Sequence, residues 1–425
     1  MSTPSFEELH DQLHVAPDRP LDLMSRRRFL QGALAAGGAL AMPLGFTDYV
    51  AAQQGGNTVV LTVTLGGGND GLNTLGPFDS GQYRDLRGAL AIAPNSAHVA
   101  SGGLFFHPRL NRLKARWDAG EVAVVSGVGD PLKDQSHFSN LARWMSANPD
   151  GRITPTGWLG RWLDSAQTTA FSAVAVGGRG VPLHFHSENS DVTDLPRIGG
   201  SRLYGADTSR ALDQRMFTAV GNMARSSDRN SWVNRVGQVN ALSIDSARDA
   251  APAFERELPE NDLALDMVLA ARVVNLGLGT RVLNVTHGDY DLHDDQIGAT
   301  SNVGAHADLL SELDIGIDLF FRTLNRRLVN RCVVVVYSEF GRRVRPNGSR
   351  GTDHGTANHL FAIGERVNGG LYGEVPSLTA LDDRGNQRVT TDFRRTYATI
   401  LDRSLGGSSS RILGRSYPSI GFLPA

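Results

Sequence analysis

The residues best suited to chemistry lie near the C-terminus. Val333-Val334-Val335-Val336-Tyr337 runs into Ser338-Glu339-Phe340-Gly341-Arg342-Arg343 and, after a Gly/Asn/Ser turn, into Gly351-Thr352-Asp353-His354-Gly355. A short β-branched run bounded by polar residues reads as a buried strand of a parallel sheet. Open α/β sheets place their chemistry at the C-terminal ends of such strands. The connection is short enough for Asp353 and His354 to fold back beside Glu339. Two carboxylates and an imidazole then meet at one sheet edge, which is how a site for a hard or borderline metal is built. Glu339 has a second reading, a plain salt bridge to Arg342 or Arg343. Arg342 in turn has the geometry to clamp an oxyanion bidentately.

Three further strand ends carry polar residues. His287-Gly288-Asp289-Tyr290-Asp291-Leu292-His293-Asp294-Asp295 is dense in acids and histidines. It reads as metal ligation by Asp291 and His293, by Asp289 and His293 if the segment turns helically, or as an acidic surface loop. Ser136-His137 opens a helix. Its serine is either an N-cap or a nucleophile activated by a metal or a base, and His137 is too near in sequence to be its base automatically. Asp70 closes Gly66-Gly67-Gly68-Asn69-Asp70-Gly71. That stretch satisfies G-x-G-x-x-G in form, but a dinucleotide fingerprint must open a helix, and Gly76 and Pro77 argue that none opens. A structural glycine turn is the alternative. His184, His186 and His306 read as structural or surface residues.

The elements that must position these residues alternate. Strands are expected at 57–65, 121–128, 171–176, 280–285 and from Val333, and helices at 108–120, from Ser136 to about Met145, at 158–166, 263–276 and 306–328. This is an α/β pattern, a mostly parallel central sheet flanked by helices. From about 179 to 258 the pattern turns polar with helical spacing (Leu212, Met216, Val220, Met223), read as a mainly helical insertion or cap. No internal repeat is visible.

Composition excludes more than it assigns. The chain has 425 residues, 40% hydrophobic and 20% charged, with a net charge of −2, so nothing argues for a nucleic-acid or anionic-membrane partner. One cysteine, Cys332, rules out a thiolate cluster and an intrachain disulfide. The ligand set is therefore carboxylate and imidazole, suited to Zn²⁺, Mn²⁺, Fe or Mg²⁺. Such a metal lowers the pKa of bound water to about 7 or binds the oxygens of an ester. At the N-terminus, Ser25-Arg26-Arg27-Arg28-Phe29-Leu30 precedes an Ala/Gly-rich apolar run to Phe46 and small residues Val50, Ala51 and Ala52. This is the layout of a twin-arginine signal, here spanning 1–52 with a polar extension before it, and an uncleaved anchor is the competing reading. The expected partners are the twin-arginine translocase during export and an anionic ester, small or polymer-borne. The expected location is periplasmic or extracellular, with no permanent membrane span once the signal is cleaved.

The twin-arginine segment, GGGNDGLN after the first strand, Ser-His-Phe, Asp-x-His, SEFGRR and GTDHGTANHLFAIG with VNGGLYGE together resemble one family. It is the domain of unknown function numbered 1501, placed beside sulfatases in the alkaline-phosphatase-like superfamily, and the resemblance covers 57–425. It implies a metal-dependent esterase site at strand C-termini. By resemblance Asp70 is a metal-binding acid, Ser136 lies near the nucleophile, Asp291 and His293 are a ligand pair, and Glu339, Asp353 and His354 complete the metal set. Ser136 or a metal-bound water would attack, and Arg342 would steady the anion. The superfamily has Asp-His where this chain has Glu339-Phe340, and a longer Asp-to-His spacing that Asp289 would restore. The implied centre therefore holds two metals, one, or none. The reading is an exported hydrolase of phosphate or sulfate esters. Its alternative is a catalytically degenerate binding or assembly protein outside the cytoplasm.

Overall fold

A computed structural model of the chain describes residues 58–166, 168–197 and 249–424, with isolated positions between 215 and 247. The signal segment, 1–52, and most of the expected insertion lie outside the described residues.

In chain order the main elements are β1 (Val59–Leu65), a helical turn α1 (Gly71–Thr74), β2 (Leu75–Gly76), α2 (Gly81–Arg87), β3 (His98–Val99), β4 (Phe105–Phe106), α3 (Asn111–Asp118), β5 (Val122–Gly129), α4 (His137–Ser146) and α5 (Trp158–Ser165). Then come β6 (Ala173–Val176), β7 (Thr193–Leu195), α6 (Asp262–Leu276), β8 (Val282–His287), α7 (Ala305–Thr323), β9 (Cys332–Ser338), β10 (Asn358–Ile363), β11 (Gly370–Gly373), β12 (Thr391–Asp392) and α8 (Phe393–Ile400).

The described strands form a nine-stranded sheet in the order β11-β5-β10-β9-β1-β8-β6-β7, with β12 on β5, and a small sheet β2-β4-β3. In the large sheet β1 runs parallel to β8 and β9, and β6 parallel to β8 and β7. β10 is antiparallel to both neighbours, β5 and β9. The sheet is thus mixed and mostly parallel, with helices on both faces.

β1 and β5 are not neighbours, because β9 and β10 lie between them. Two expectations are corrected. A helical turn does open after the glycine run: Asp70 is the N-cap of α1, which lasts only Gly71–Thr74 before β2. The helix expected over 306–328 ends at Thr323, and Leu324 leaves it with an extended backbone. The described start of the 179–258 segment includes β7, a strand of the main sheet.

Why the chain folds this way follows from burial on both faces. All seven residues of β1 and all seven of β9 are buried, as strands covered by helices on either side must be. Val59, Leu61 and Val63 join α6 and α7 residues such as Met267, Leu310 and Phe320 in one core. Val60, Val333 and Tyr337 join α4, α5 and α8 residues such as Trp144, Trp158 and Phe393 in the other. Each fully buried Val, Leu or Phe contributes about 1.5–3 kcal/mol. One aromatic contact bears directly on the site: Trp144 of α4 stacks on Tyr337 of β9 at 5.2 Å and 2°. His137 lies two turns before Trp144 on the same helix face, and Glu339 lies two residues beyond Tyr337. That stack therefore sets the first residue of α4 against the end of β9. Among the described residues, no helix is long and apolar enough to cross a membrane.

Candidate metal centre

Four loops at the C-terminal ends of β1, β5, β8 and β9 meet. The loop after β9 closes on itself: Arg343 N donates to Asp353 O at 3.0 Å and Gly355 N to Gly341 O at 2.8 Å. A side chain at Gly341 would put Cβ 2.1 Å from Ala357 O, so glycine is needed for this close return. The loops after β1 and β8 are joined by Gly66 N donating to His287 O at 2.8 Å and Tyr290 N to Gly66 O at 3.1 Å.

This closure gathers three imidazoles and a carboxylate. Nε2 of His354 lies 3.0 Å from Nε2 of His137, 2.8 Å from Nε2 of His293 and 3.1 Å from Oδ1 of Asp291. Asp291 also places Oδ1 3.0 Å from His293 Nε2 and Oδ2 3.3 Å from His137 Nε2. His137, Asp291 and His354 each offer a ligand atom within 4.8 Å of the others, and His293 joins through His354 and Asp291.

The far side of each ring is held. His137 Nδ1 donates to Glu339 Oε1 at 2.7 Å, and His354 Nδ1 donates to the carbonyl of Gln135 at 2.7 Å. His293 Nδ1 faces Asp353 Oδ1 at 3.5 Å. With the Nδ1 protons so engaged, the Nε2 lone pairs point at one another. Nitrogens 2.8–3.0 Å apart in that state need a proton or a cation between them. Around a tetrahedral zinc with bonds of about 2.0–2.1 Å, ligand atoms sit about 3.3 Å apart, close to the spacing here. The donor set fits a divalent metal, and the acceptors behind the rings are the outer partners that orient metal-binding histidines.

The electrostatics agree. Burial works against the charge of Asp291, but hydrogen bonds from Arg342 and His354 more than offset it, and its pKa falls to about 2. The hydrogen bond to Glu339 raises the pKa of His137. Burial lowers that of His354, keeping its ring neutral and its lone pair free.

Several expected site residues stand elsewhere. Glu339 is buried behind His137, accepting also from Gly67 N at 3.0 Å and Ser338 Oγ at 2.9 Å, and Asp353 stands behind His293. Both act through a histidine rather than reaching the convergence point. Asp70 is outside the cluster: it is buried in an ion pair with Arg87 and accepts from Gln296 Nε2 at 2.7 Å. Burial opposes its charge, but Arg87, His306 and Gln296 hold its carboxyl below the ordinary value. Arg342 is buried and donates to the carbonyls of Gly67, Gly68, Tyr290 and Thr352 and to Asp291 Oδ1. With its donors committed to those loops, it is a brace for Asp291 and not an anion clamp. Ser136 is the exposed N-cap residue of α4, and its hydroxyl makes no capping bond. Asp289 is exposed with φ 69° and is not in the cluster. The residue that sequence reasoning passed over is His137, whose signal was its place as the first residue of a helix just after a strand end.

The match in sequence is to a family described as "Protein of unknown function (DUF1501)", over residues 123–406, and the chain belongs to that family. No curated protein matches it. Among solved structures it is similar to the C-terminal periplasmic domain of EcEptC from Escherichia coli in complex with Zn, at 10% identity over 73% of this chain and 74% of that one, TM-score 0.35. It is also similar to a protein in the alkaline phosphatase superfamily from Vibrio parahaemolyticus (11% identity, 86% and 76% covered, TM-score 0.35). A third is PsFucS1 sulfatase from Pseudoalteromonas sp. (12% identity, 89% and 73% covered, TM-score 0.34). At such TM-scores the likeness assigns no role to any residue of this chain.

Proposed function

We propose that the protein is an exported hydrolase of phosphate or sulfate esters working with one divalent metal ion held by His137, His293, His354 and Asp291. The observation that carries this reading is the convergence of three Nε2 atoms and one carboxylate, each with an orienting partner behind it. When bound, such a metal polarises an ester oxygen and lowers the pKa of water toward about 7. A nitrogen-rich set favours Zn²⁺, Mn²⁺ or Fe²⁺ over Mg²⁺.

The chain's own residues support an anionic substrate. Asp291, Glu339 and Asp353 are opposed by Arg342 and Arg343, so a divalent ion leaves the centre net positive. α4 directs the positive end of its dipole toward the same place, since His137 is its first residue. Water is the nucleophile in this reading, because Ser136 is an exposed residue at the head of α4 and stands outside the cluster. Export rests on the Ser25–Leu30 twin-arginine pattern.

The test is the metal content of the purified mature protein, with hydrolysis of aryl phosphates and aryl sulfates. One bound metal with turnover, both lost in Asp291→Ala and His354→Ala, supports the reading. Metal-free protein inert toward both ester classes would falsify it.

A further inference from the structure

A phenylalanine stands among the polar residues that follow β9, between Glu339 and Arg342. Phe340 is fully buried. Its ring centroid lies 4.8 Å from that of His137 at 42° and 4.9 Å from that of His354 at 35°. Those two imidazoles are themselves 4.4 Å apart at 77°. A hydrogen bond at Nδ1 fixes one atom of a histidine but leaves its plane free to swing, because χ2 is a broad torsion. Packing against a flat ring removes that freedom.

The Phe340 ring also packs against the glycine run. A Cβ on Gly68 would lie 2.4 Å from Phe340 Cε2 and 2.7 Å from Cδ2. The backbone on both sides is pinned by Asn358 Nδ2, which donates to Phe340 O at 2.9 Å and to Asn69 O at 3.0 Å. Gly68, Phe340 and the two imidazoles pack together as one cluster, with the Phe340 ring tilted against both histidines.

We infer that Phe340 is a positioning residue of the metal centre: an apolar floor that sets the planes of His137 and His354 so that their Nε2 atoms converge, with Gly68 as the seat that the floor requires. This rests on the metal-centre part of the proposed function and not on ester hydrolysis.

The test uses Co²⁺ as probe, because its visible absorption reports ligand geometry, with Zn²⁺ affinity from chelator competition. Phe340→Leu is expected to bind metal about 10-fold more weakly, with an altered cobalt spectrum and a retained fold by circular dichroism. Gly68→Ala is expected to do the same, although it touches neither histidine. Gly103→Ala is the control for backbone strain: Gly103 has φ 75° against 76° for Gly68, with nothing within 4 Å of an added Cβ, so affinity and spectrum stay at wild type. If Phe340→Leu fails to fold, Phe340→Met, which keeps bulk without a flat face, is read in its place. Wild-type affinity and spectrum in both the Phe340 and Gly68 variants overturn the inference, as does a wild-type protein that binds no cobalt. Metal bound as expected with no ester cleaved leaves the inference standing and removes only the hydrolase reading.

Discussion

The carboxylate of Glu339 lies 2.7 Å from Nδ1 of His137, on the side of the ring away from the other imidazoles. Glu339 is buried and also accepts the backbone N–H of Gly67. It therefore ties the loop after β1 to the first residue of α4 through one carboxylate. Glu339→Gln keeps the shape and one acceptor and removes the charge. Metal affinity should fall about 10- to 100-fold, the usual cost of losing an outer partner of a ligating histidine. Chelator competition measures it, and affinity within two-fold of wild type, roughly, contradicts the role given to Glu339.

Asp291 and Arg342 should separate ligation from folding. The Asp291 side chain is 45% exposed while that of Arg342 is 1% exposed. Removing the carboxylate leaves Arg342 bonded to four carbonyl groups, so Asp291→Ala should lose metal with little change in metal-free stability. Arg342→Met leaves those carbonyls of the β1, β8 and β9 loops without their donor. It should cost at least about 3 kcal/mol, since each buried acceptor left unsatisfied costs about 1–3 kcal/mol. Urea denaturation of metal-free protein compares the two, and equal losses of stability refute the division.

Which features were visible in the sequence follows from the range of the interactions behind them. β9 was readable because four consecutive valines bury on both faces, and the end of a buried parallel strand is a chemical address. The return of His354 toward β9 was readable because its loop is short. Asp70 misled because its partner, Arg87, is supplied by a different helix and the pairing leaves no local pattern. Arg342 misled for the same reason: its acceptors are backbone carbonyls of three loops, and backbone groups carry no sequence signature. The antiparallel β10 was missed because a six-residue strand, Asn358–Ile363, has the same local pattern whichever way it runs.

Ser136 offers a clean test of the nucleophile. Its side chain makes no capping bond and is exposed. Ser136→Ala should leave metal content unchanged and kcat/KM toward an aryl ester within about two-fold, whereas loss of an attacking hydroxyl costs orders of magnitude. A large loss of kcat with metal retained would restore the serine to the mechanism.

Asp70 should matter to stability and not to metal content. Asp70→Asn leaves Arg87 buried without a counter-charge, at a cost of about 3–5 kcal/mol. The folded pKa of Asp70 lies below its ordinary 3.8. Its stabilisation is therefore fully present above that value and is lost as pH falls through the folded pKa. The gap between wild type and variant should be constant from neutral pH to about 4.5 and shrink below about 3.8. Denaturant titrations at several pH values check this, and loss of bound metal in the variant would return Asp70 to the ligand set.

His184 carries a linkage of the same sign in a higher pH window. It is fully buried, and among the described residues neither ring nitrogen has a hydrogen-bond partner. Burial pushes its pKa from 6.5 down to about 3. Between those values the unfolded chain holds a proton that the folded chain does not, so stability falls as pH drops below 6.5, by up to about 1.4 kcal/mol per pH unit for this one group. His184→Leu removes both the unsatisfied nitrogens and the linkage. Stability at pH 7 should rise by about 1 kcal/mol, and the decline between pH 6.5 and 4 should become shallower by about one proton's worth. His107, His306 and His359, also lowered by burial, to about 3, 4 and 4, keep part of the slope. An unchanged slope in the His184 variant means that the ring is protonated inside the fold, and that it has a partner there.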